Sequence, residues 1–301
     1  MAASKAILEK LICLRCGQPL AHGDAGLTCA GCGRRYPRQD GVPVILPDDA
    51  QIVHELPQPR RSGLIGAVKA LNARLLATAP GPHFGTATGR NFDFLRAQLP
   101  ADAATILVGG GVREYGHCID RLGASLLAGA VNLEVKAGPV VDLVADGHRI
   151  PFPDATFDLV VSEAVLEHVR TPAQMVAEMR RVLKPGGWIF VGVPFLQPVH
   201  MHSDFWRYTV KGLEELMKDF TLVESGVNGG VASATAWVNG IFLAQLFSFG
   251  RPGLYKRGRM AFTRLTAPLK YLDALFSRQN LPPIAPSSVF YIGRKPTTPV
   301  A

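Results

Sequence analysis

Cysteine spacing near the start of the chain provides the first pattern with defined chemistry. Four of the five cysteines form two Cys-x-x-Cys pairs, namely Cys13, Cys16, Cys29 and Cys32. Gly17 and Gly33 directly follow the pairs and permit the tight turn that aims two thiolates at one point. Tetrahedral Zn²⁺ takes four such ligands, and a site filled by sulfur leaves no position open for catalysis. The spacing therefore predicts a structural zinc ribbon, with a disulfide or a redox dithiol as the alternative.

A second set of polar residues follows consecutive apolar runs between residues 105 and 193. Runs rich in Val, Ile and Leu alternate here with helical patterns, which is typical of a parallel sheet covered by helices. Ligands of such sheets bind outside the carboxyl ends of the strands. The polar and glycine residues at these ends are Gly109, Gly110, Gly111, Glu134, Asp146, Gly147, Ser162 and Glu163. Glu134 lies about twenty residues beyond the glycines, the spacing that places a carboxylate on a ribose diol.

Later motifs resemble those of the class I S-adenosylmethionine (SAM)-dependent methyltransferases, in particular their small-molecule branch. The matching segments are Asp146, Ile150-Pro151-Phe152, Phe157-Asp158, Leu166-Glu167-His168 and Leu183-Lys184-Pro185-Gly186-Gly187. The resemblance covers roughly residues 85–225 and implies a Rossmann-like α/β fold with a seven-stranded sheet and a transferase that uses SAM. The chain departs from the family pattern at Leu107, where an acid is usual, and at Arg113, where a glycine is usual.

The resemblance also implies roles for the residues at the strand ends. The glycine loop of residues 109–111 would approach the cofactor through its backbone, and Glu134 would accept hydrogen bonds from the ribose hydroxyls. Asp146 would accept from the adenine amine, with Gly147 giving backbone access. Ser162 and Glu163 follow the fourth strand and are further predicted cofactor contacts.

Candidate catalytic residues come from the segment after the fifth strand. His200 and His202 are predicted bases, and a third candidate, His168, follows the fourth strand. The predicted substrate contacts are Asp204, Trp206, Arg207 and Tyr208. Alternatives remain open: a metal site formed by His200, His202 and Asp204, a purely structural loop, or a His168 that caps a helix or packs beneath the cofactor.

Local patterns divide the chain into four predicted parts. Residues 1–50 form the zinc ribbon, whose Tyr36-Pro37 and Asp40-Gly41-Val42-Pro43 resemble small zinc-ribbon proteins that activate methyltransferases. Residues 51–90 form a linker and N-terminal helices, including one over residues 62–77. The methyltransferase domain comprises residues 91–229 and 286–296. Residues 230–285 form a helical insertion before the last strand, either a lid or a membrane-interfacial element.

Composition restricts the partners and the compartment. The 301 residues carry a formal net charge of +8, with 48% hydrophobic and 19% charged residues. This balance favours an anionic partner such as nucleic acid, a phosphate-bearing substrate or an acidic membrane surface, with a solvated basic surface as the alternative. We expect no signal peptide and no apolar run of about 18 residues, so the sequence predicts a cytoplasmic protein that is either soluble or peripheral on the inner membrane face.

The sequence therefore predicts transfer of a methyl group from SAM to a hydroxyl, or an amine, of a small-molecule acceptor such as a lipid-linked glycan. One alternative is a degenerate methyltransferase fold that acts as a binding or scaffold protein, which Leu107 and Arg113 favour. Another is a tRNA or rRNA methyltransferase, which the ribbon favours. Nucleic acid is the weaker prediction, because the chain lacks the Asn-Pro-Pro-aromatic motif common in base N-methylation. The oligomeric state is left open.

Overall fold

The computed structural model of the chain describes residues 6–23, 26–48, 87–111, 123–199, 203–279, 282 and 284–298. Several predicted features lie outside these residues: the helix at 62–77, Arg113 with most of the helix predicted after Gly111, and the two candidate bases His200 and His202.

Eleven strands are present in the described ranges. They are β1 (Leu20–Gly23), β2 (Gly26–Cys29), β3 (Arg35–Gln39), β4 (Val42–Ile45), β5 (Thr105–Val108), β6 (Ala130–Glu134), β7 (Leu143–Ala145), β8 (Phe157–Glu163), β9 (Leu183–Pro194), β10 (Thr221–Gly229) and β11 (Ser288–Arg294). The α-helices are α1 (Thr88–Gln98), α2 (Gly123–Ala128), α3 (Pro172–Val182), α4 (Val210–Leu216), α5 (Val231–Leu246), α6 (Pro252–Thr266) and α7 (Asp273–Phe276). Short 3₁₀ helices cover Leu166–His168 and Ala267–Leu272.

One continuous sheet has the strand order β1-β2-β3-β4-β7-β6-β5-β8-β9-β11-β10. Its last seven strands form the predicted Rossmann-like sheet. Neighbours from β7 to β9 run parallel, whereas β11 runs antiparallel to both β9 and β10. The predicted α/β fold class is confirmed. The strand count differs from the prediction, because the sheet extends through four ribbon strands beyond β7.

The ribbon joins the sheet through its last strand. β4 pairs in parallel with β7, with Val44 opposite Val144 and Ile45 opposite Ala145. A further backbone bond runs from Ile12 N–H to the carbonyl of Pro151, at 3.0 Å. Buried ribbon side chains share one hydrophobic core with this side of the sheet, including Leu11, Leu20, Leu27, Tyr36 and Ile45. Local sequence patterns do not reveal such long-range pairing, which is why the sequence predicted a seven-stranded sheet.

Two local details differ from the sequence-based expectation. Thr171-Pro172 predicts a helix that begins at Pro172 with Thr171 as its N-cap. Helix α3 does begin at Pro172, but the Thr171 side chain makes no capping bond to the backbone and contacts the Gln174 side chain instead. The segment Leu183-Lys184-Pro185-Gly186-Gly187 predicts only the end of this helix, whereas in the structure it forms the start of β9.

The insertion leaves and re-enters the sheet at its ligand-binding edge. Gly229, the end of β10, pairs with Ser288, the start of β11, and Ser288 pairs with Pro194 at the carboxyl end of β9. Helices α5, α6 and α7 therefore start and finish at the edge where the parallel strands end. No helix in the described ranges combines the length and hydropathy needed to cross a membrane.

Candidate functional site

A cavity of about 620 Å³ opens where β5, β6 and β7 end. This volume is within the usual range of small-molecule sites. The cavity brings together five residues that the sequence predicted for the site, namely Gly109, Glu134, Asp146, Gly147 and His168. Pro47, which follows the ribbon strand β4, also contributes to its wall.

The loop that follows β5, residues 109–111, requires glycine at each position. Gly109 and Gly111 have φ values of +76° and +99°, a backbone region that side chains disfavour. A Cβ on Gly109 would lie 2.3 Å from a methyl of Val165, and one on Gly110 would lie 2.4 Å from the Asn132 side-chain oxygen. The glycines thus let the loop pack closely against Val165 and Asn132, and Gly109, the one of the three that lines the cavity, presents only backbone there.

Glu134 is tied to the glycine loop. Its Oε1 accepts a hydrogen bond from Gly111 N–H at 2.8 Å, and its Oε2 accepts from Val135 N–H at 3.1 Å. Burial raises the pKa of this carboxyl group above its ordinary value, although both backbone bonds act in the opposite direction. The carboxylate is thus fixed at the end of β6, with lone pairs left for a ligand.

Asn132 holds the other side of the same loop. Its side-chain amide donates to the carbonyls of Gly111, at 2.9 Å, and Val140, at 2.8 Å. The sequence analysis missed this residue. The available signal was an asparagine inside the otherwise apolar strand β6, because a buried amide needs partners.

Asp146 is oriented by a residue that the sequence analysis also missed. Its Oδ1 accepts from the His148 backbone N–H at 2.9 Å and lies 2.7 Å from His148 Nδ1. Burial alone would raise the pKa of Asp146, but the hydrogen bonds from His148 outweigh it and lower the pKa. The carboxylate therefore stays ionised at the end of β7, where it can accept a hydrogen bond from a ligand amine.

Ser162 and Glu163 lie near this site but do not line the cavity. Ser162 is buried, and its hydroxyl has no hydrogen-bond partner within the described part of the chain. Glu163 accepts a long bond of 3.4 Å from the Asn228 side chain, which links the end of β8 to β10.

The four predicted substrate contacts are not part of the cavity wall either. Asp204 forms a two-pronged ion pair with Arg207, in which one contact measures 2.7 Å, and Arg207 also donates to the carbonyls of Gln197 and Pro198. Trp206 donates to the Val169 carbonyl at 2.8 Å, and the Tyr208 hydroxyl donates to the Leu166 carbonyl at 3.3 Å. These contacts brace the segment, whose Ser203 and Phe205 do reach the cavity.

His168, which lines the cavity, forms a pair with the buried Glu167. His168 Nδ1 lies 2.6 Å from the Ser203 carbonyl, which can only accept, so this nitrogen carries a proton. Its Nε2 lies 3.6 Å from a carboxylate oxygen of Glu167. The Glu167 side chain is 1% exposed, and neither oxygen has a hydrogen-bond partner in the described ranges. Burial raises the pKa of Glu167 to about 7, and Asp204 adds to this effect.

The four ribbon cysteines converge as predicted. Their sulfur atoms all lie within 4.8 Å of one another, with Cys13–Cys32 at 3.6 Å and Cys16–Cys29 at 3.4 Å. Tetrahedral Zn²⁺ with four thiolates separates its sulfur atoms by about 3.8 Å. The backbone N–H of Arg15 points at the Cys13 sulfur, at 3.4 Å. This donor set fits a tetrahedral, thiolate-bound metal.

Strand order and cavity position agree with the fold that the sequence predicted. The seven strands β7-β6-β5-β8-β9-β11-β10, with β11 inserted antiparallel, and the cavity at the carboxyl ends fit the Rossmann-like sheet implied by the resemblance to class I methyltransferases. Residues 119–191, about a quarter of the chain, match the family model described as a methyltransferase domain. This match supports the predicted resemblance to SAM-dependent methyltransferases.

Similar proteins match the chain over limited segments. The ubiquinone/menaquinone biosynthesis C-methyltransferase UbiE of Psychromonas ingrahamii is 36% identical over 24% of this chain and 30% of its own length. The arginine-hydroxylase NDUFAF5 of Rattus norvegicus is 44% identical over 19% of this chain and 16% of its own length. The chain covers between 15% and 35% of the first curated relatives. The names of these relatives describe more than one reaction.

A solved structure with similar architecture is the 1,6-didemethyltoxoflavin-N1-methyltransferase of Burkholderia thailandensis with 1,6-didemethyltoxoflavin and S-adenosylhomocysteine. It is 12% identical, the match covers 79% of this chain and 93% of that chain, and the TM-score is 0.40.

Proposed function

We propose that this chain is a SAM-dependent methyltransferase that acts on a hydroxyl, or less readily an amine, of a small-molecule acceptor. The observation that carries the proposal is the meeting of Gly109, Glu134, Asp146 and Gly147 in one cavity of about 620 Å³. Glu134 would bind the ribose hydroxyls, Asp146 the adenine amine, and the glycine loop would pass close to the rest of the cofactor. Bound SAM supplies a methyl group that its sulfonium already activates.

The residues of the chain would contribute position and proton removal. Methyl transfer is an in-line displacement, so aligning the acceptor with the methyl group is the main task. A hydroxyl acceptor also needs a base, and His168 lies on the cavity wall with its Nδ1 held by Ser203. We propose His168 Nε2 as this base: it would take the proton of the acceptor hydroxyl, and the Glu167 carboxylate, 3.6 Å away, would stabilise the imidazolium that forms. His200 and His202 remain proposed alternatives.

Two features support an anionic, lipid-linked acceptor such as a lipid-linked glycan. The cavity wall includes the cationic residues Lys136, Arg149 and Arg170, which suit a phosphate. The helical insertion starts and ends at the same sheet edge and has a basic, apolar surface. We propose that the acceptor reaches the cavity from this side.

The ribbon would have a structural role. We propose that Zn²⁺ bound by the four cysteines fixes the strands β1 to β4, and through them the pairing of β4 with β7 and the position of Pro47. We also propose the four-part domain division predicted from the sequence.

Transfer of a radioactive methyl group tests the activity. The zinc-loaded protein would be incubated with tritium-methyl SAM and either the lipid fraction or the aqueous fraction of a bacterial extract. We expect label in the lipid fraction, lost in Glu134→Ala and retained in Asp158→Asn, an acid at the opposite end of β8 that pairs with Lys184. Label lost after nuclease treatment would favour an RNA acceptor instead. Absence of label in both fractions and in RNA would favour the scaffold alternative.

A further inference from the structure

The basic apolar surface comprises the exposed residues of helices α5, α6 and α7 and of the 3₁₀ helix that joins α6 to α7. Residues 230–285 contain seven lysines or arginines and one aspartate, so they hold most of the net charge of +8. Six of the basic residues are exposed: Arg251, Lys256, Arg257, Arg259, Arg264 and Arg278. Positive charge is thus concentrated on one part of the molecule.

The single acid of this segment is hidden from solvent. Asp273 is 1% exposed, and its two oxygens accept from the backbone N–H groups of Ala232, at 2.8 Å, and Ser233, at 2.9 Å. It therefore caps the N-terminus of α5 from a distant point in the chain. Within the described part of residues 230–285, no carboxylate offsets the exposed cations.

The same segment also exposes large apolar side chains. Phe249 is 78% exposed, Leu265 69% and Phe242 59%. Along α5, which has no charged residue, Val238, Phe242 and Leu246 follow at intervals of four and share one exposed face. Further exposed apolar residues on the later helices include Leu269, Leu275 and Phe276. A soluble surface helix normally shows the opposite pattern.

The contact between helices α5 and α6 explains why these side chains face outward. A Cβ on Gly240 of α5 would lie 2.7 Å from the Thr263 Cα of α6, and the Thr266 hydroxyl donates to the Ala236 carbonyl at 2.5 Å. The two helices thus approach closely through small residues, a mode common among helices packed in lipid. Small residues occupy the contact, and the larger apolar ones remain on the outside.

From these observations we infer that the basic apolar surface binds the face of a bilayer that contains anionic phospholipid. Apolar residues would enter the headgroup boundary, and the surrounding arginines and lysines would bind lipid phosphates. The positive charge favours an anionic bilayer over an apolar protein partner, because an apolar partner would not require six exposed cations. Since the insertion starts and ends at the cavity edge, the bound enzyme would face lipid-linked acceptors. That consequence rests on the proposed function, whereas bilayer binding does not.

Vesicle flotation tests this inference. The full chain would be mixed with vesicles of phosphatidylcholine alone or of phosphatidylcholine with phosphatidylglycerol. We expect binding to the anionic vesicles, with about tenfold weaker binding in Phe242→Ser/Phe249→Ser. Arg257→Gln/Arg264→Gln should weaken it about fivefold per charge and reduce its sensitivity to salt. The matched control is Leu222→Ser/Lys218→Gln, which changes an exposed leucine and lysine outside the insertion and should bind as the wild type does.

Three results would overturn the inference: no flotation with anionic vesicles, equal flotation of all variants, or a protein dimer that the Phe242→Ser/Phe249→Ser variant dissociates. SAM titration of the same preparations separates the two proposals. Flotation without SAM binding would contradict only the proposed function, and SAM binding without flotation would contradict only the bilayer inference.

Discussion

Glu167 carries a carboxyl group whose ionisation the fold opposes. Burial raises its pKa from 4.5 to about 7. Because the pKa is higher in the folded state, the folded chain holds more protons than the unfolded chain between these values. This contribution to stability is present at acid pH and is lost as the pH rises through about 7. The loss is complete at mildly alkaline pH.

Glu167→Gln should therefore raise the free energy of unfolding by about 1–3 kcal/mol near pH 8 and change it little near pH 4. Urea unfolding across this pH range measures the effect. Glu215→Gln, at a largely exposed carboxylate, is the control and should leave the profile unchanged. Parallel profiles for wild type and Glu167→Gln would contradict the buried-carboxyl account.

Gly109 combines two constraints that a side chain would violate. Its φ is +76°, and a Cβ would lie 2.3 Å from a Val165 methyl. We expect Gly109→Ala to lower the free energy of unfolding by about 1–3 kcal/mol and to weaken SAM binding. Gly89→Ala is the matched control, because nothing lies within 4 Å of a Cβ at that position of α1. Equal stability of both variants would show that the loop tolerates a side chain.

At the residue scale, the sequence predicted the groups that sit at strand ends. Ligands of parallel sheets bind outside the carboxyl ends of the strands, and local apolar patterns show where each strand ends. These two facts together located the glycine loop, Glu134 and Asp146. Their supporting contacts could not be predicted. Asn132 and His148 act through hydrogen bonds whose geometry depends on the folded loop. The asparagine inside the apolar strand β6 was the available signal for Asn132, and no comparable signal marks His148.

Among the elements, the ribbon depends most on a bound ion. In the described ranges, its four short strands join the larger sheet through the pairing of β4 with β7. Metal removal should therefore loosen this edge and the cavity wall at Pro47. We expect about one Zn²⁺ per chain by mass spectrometry of the purified protein, absent in Cys13→Ser/Cys29→Ser, together with a lower Tm. Cys118→Ser, the cysteine outside both pairs, should keep the metal. A metal-free wild type with an unchanged Tm would contradict this role.

Helix α5 depends on a cap supplied from far along the chain. The Asp273 carboxylate accepts from the backbone N–H groups of Ala232 and Ser233 at the start of α5, and it is 1% exposed. Asp273→Ala should lower the free energy of unfolding by about 1–2 kcal/mol, because it leaves these two N–H groups without an acceptor. Hydrogen–deuterium exchange measures the effect, and we expect faster exchange of the backbone amides in the first turn of α5. Asp154→Ala, at an exposed carboxylate, should not alter this exchange. Unchanged protection in Asp273→Ala would show that the cap is dispensable.

The sequence predicted the helices and strands themselves better than it predicted which of them contact each other. The order of strands and helices from β5 to β9, and the final strand β11, follow from local periodicity and matched the structure. The pairing of β4 with β7 and the remote cap of α5 join residues about 40 or more positions apart, which periodicity cannot reveal. The strand character of residues 183–187 also arises from pairing with neighbouring strands, not from local propensity.

At the scale of the whole molecule, three parts meet around one edge of the sheet. The parallel strands end at the cavity, the ribbon contributes Pro47 to its wall, and the insertion starts beside Pro194. The sequence indicated a basic, apolar insertion, but only the topology shows that it starts and ends on the cavity side. The proposed cofactor site and the proposed bilayer surface would therefore act together.

Calorimetric titration of the zinc-loaded chain with SAM and with S-adenosylhomocysteine tests the central claim most directly. The account predicts binding in the micromolar range to the wild type and to Asp158→Asn. Binding to Glu134→Ala should be about tenfold to hundredfold weaker, because a carboxylate that accepts from two hydroxyls is removed. A folded wild-type chain that binds neither ligand would contradict the account and leave the scaffold alternative.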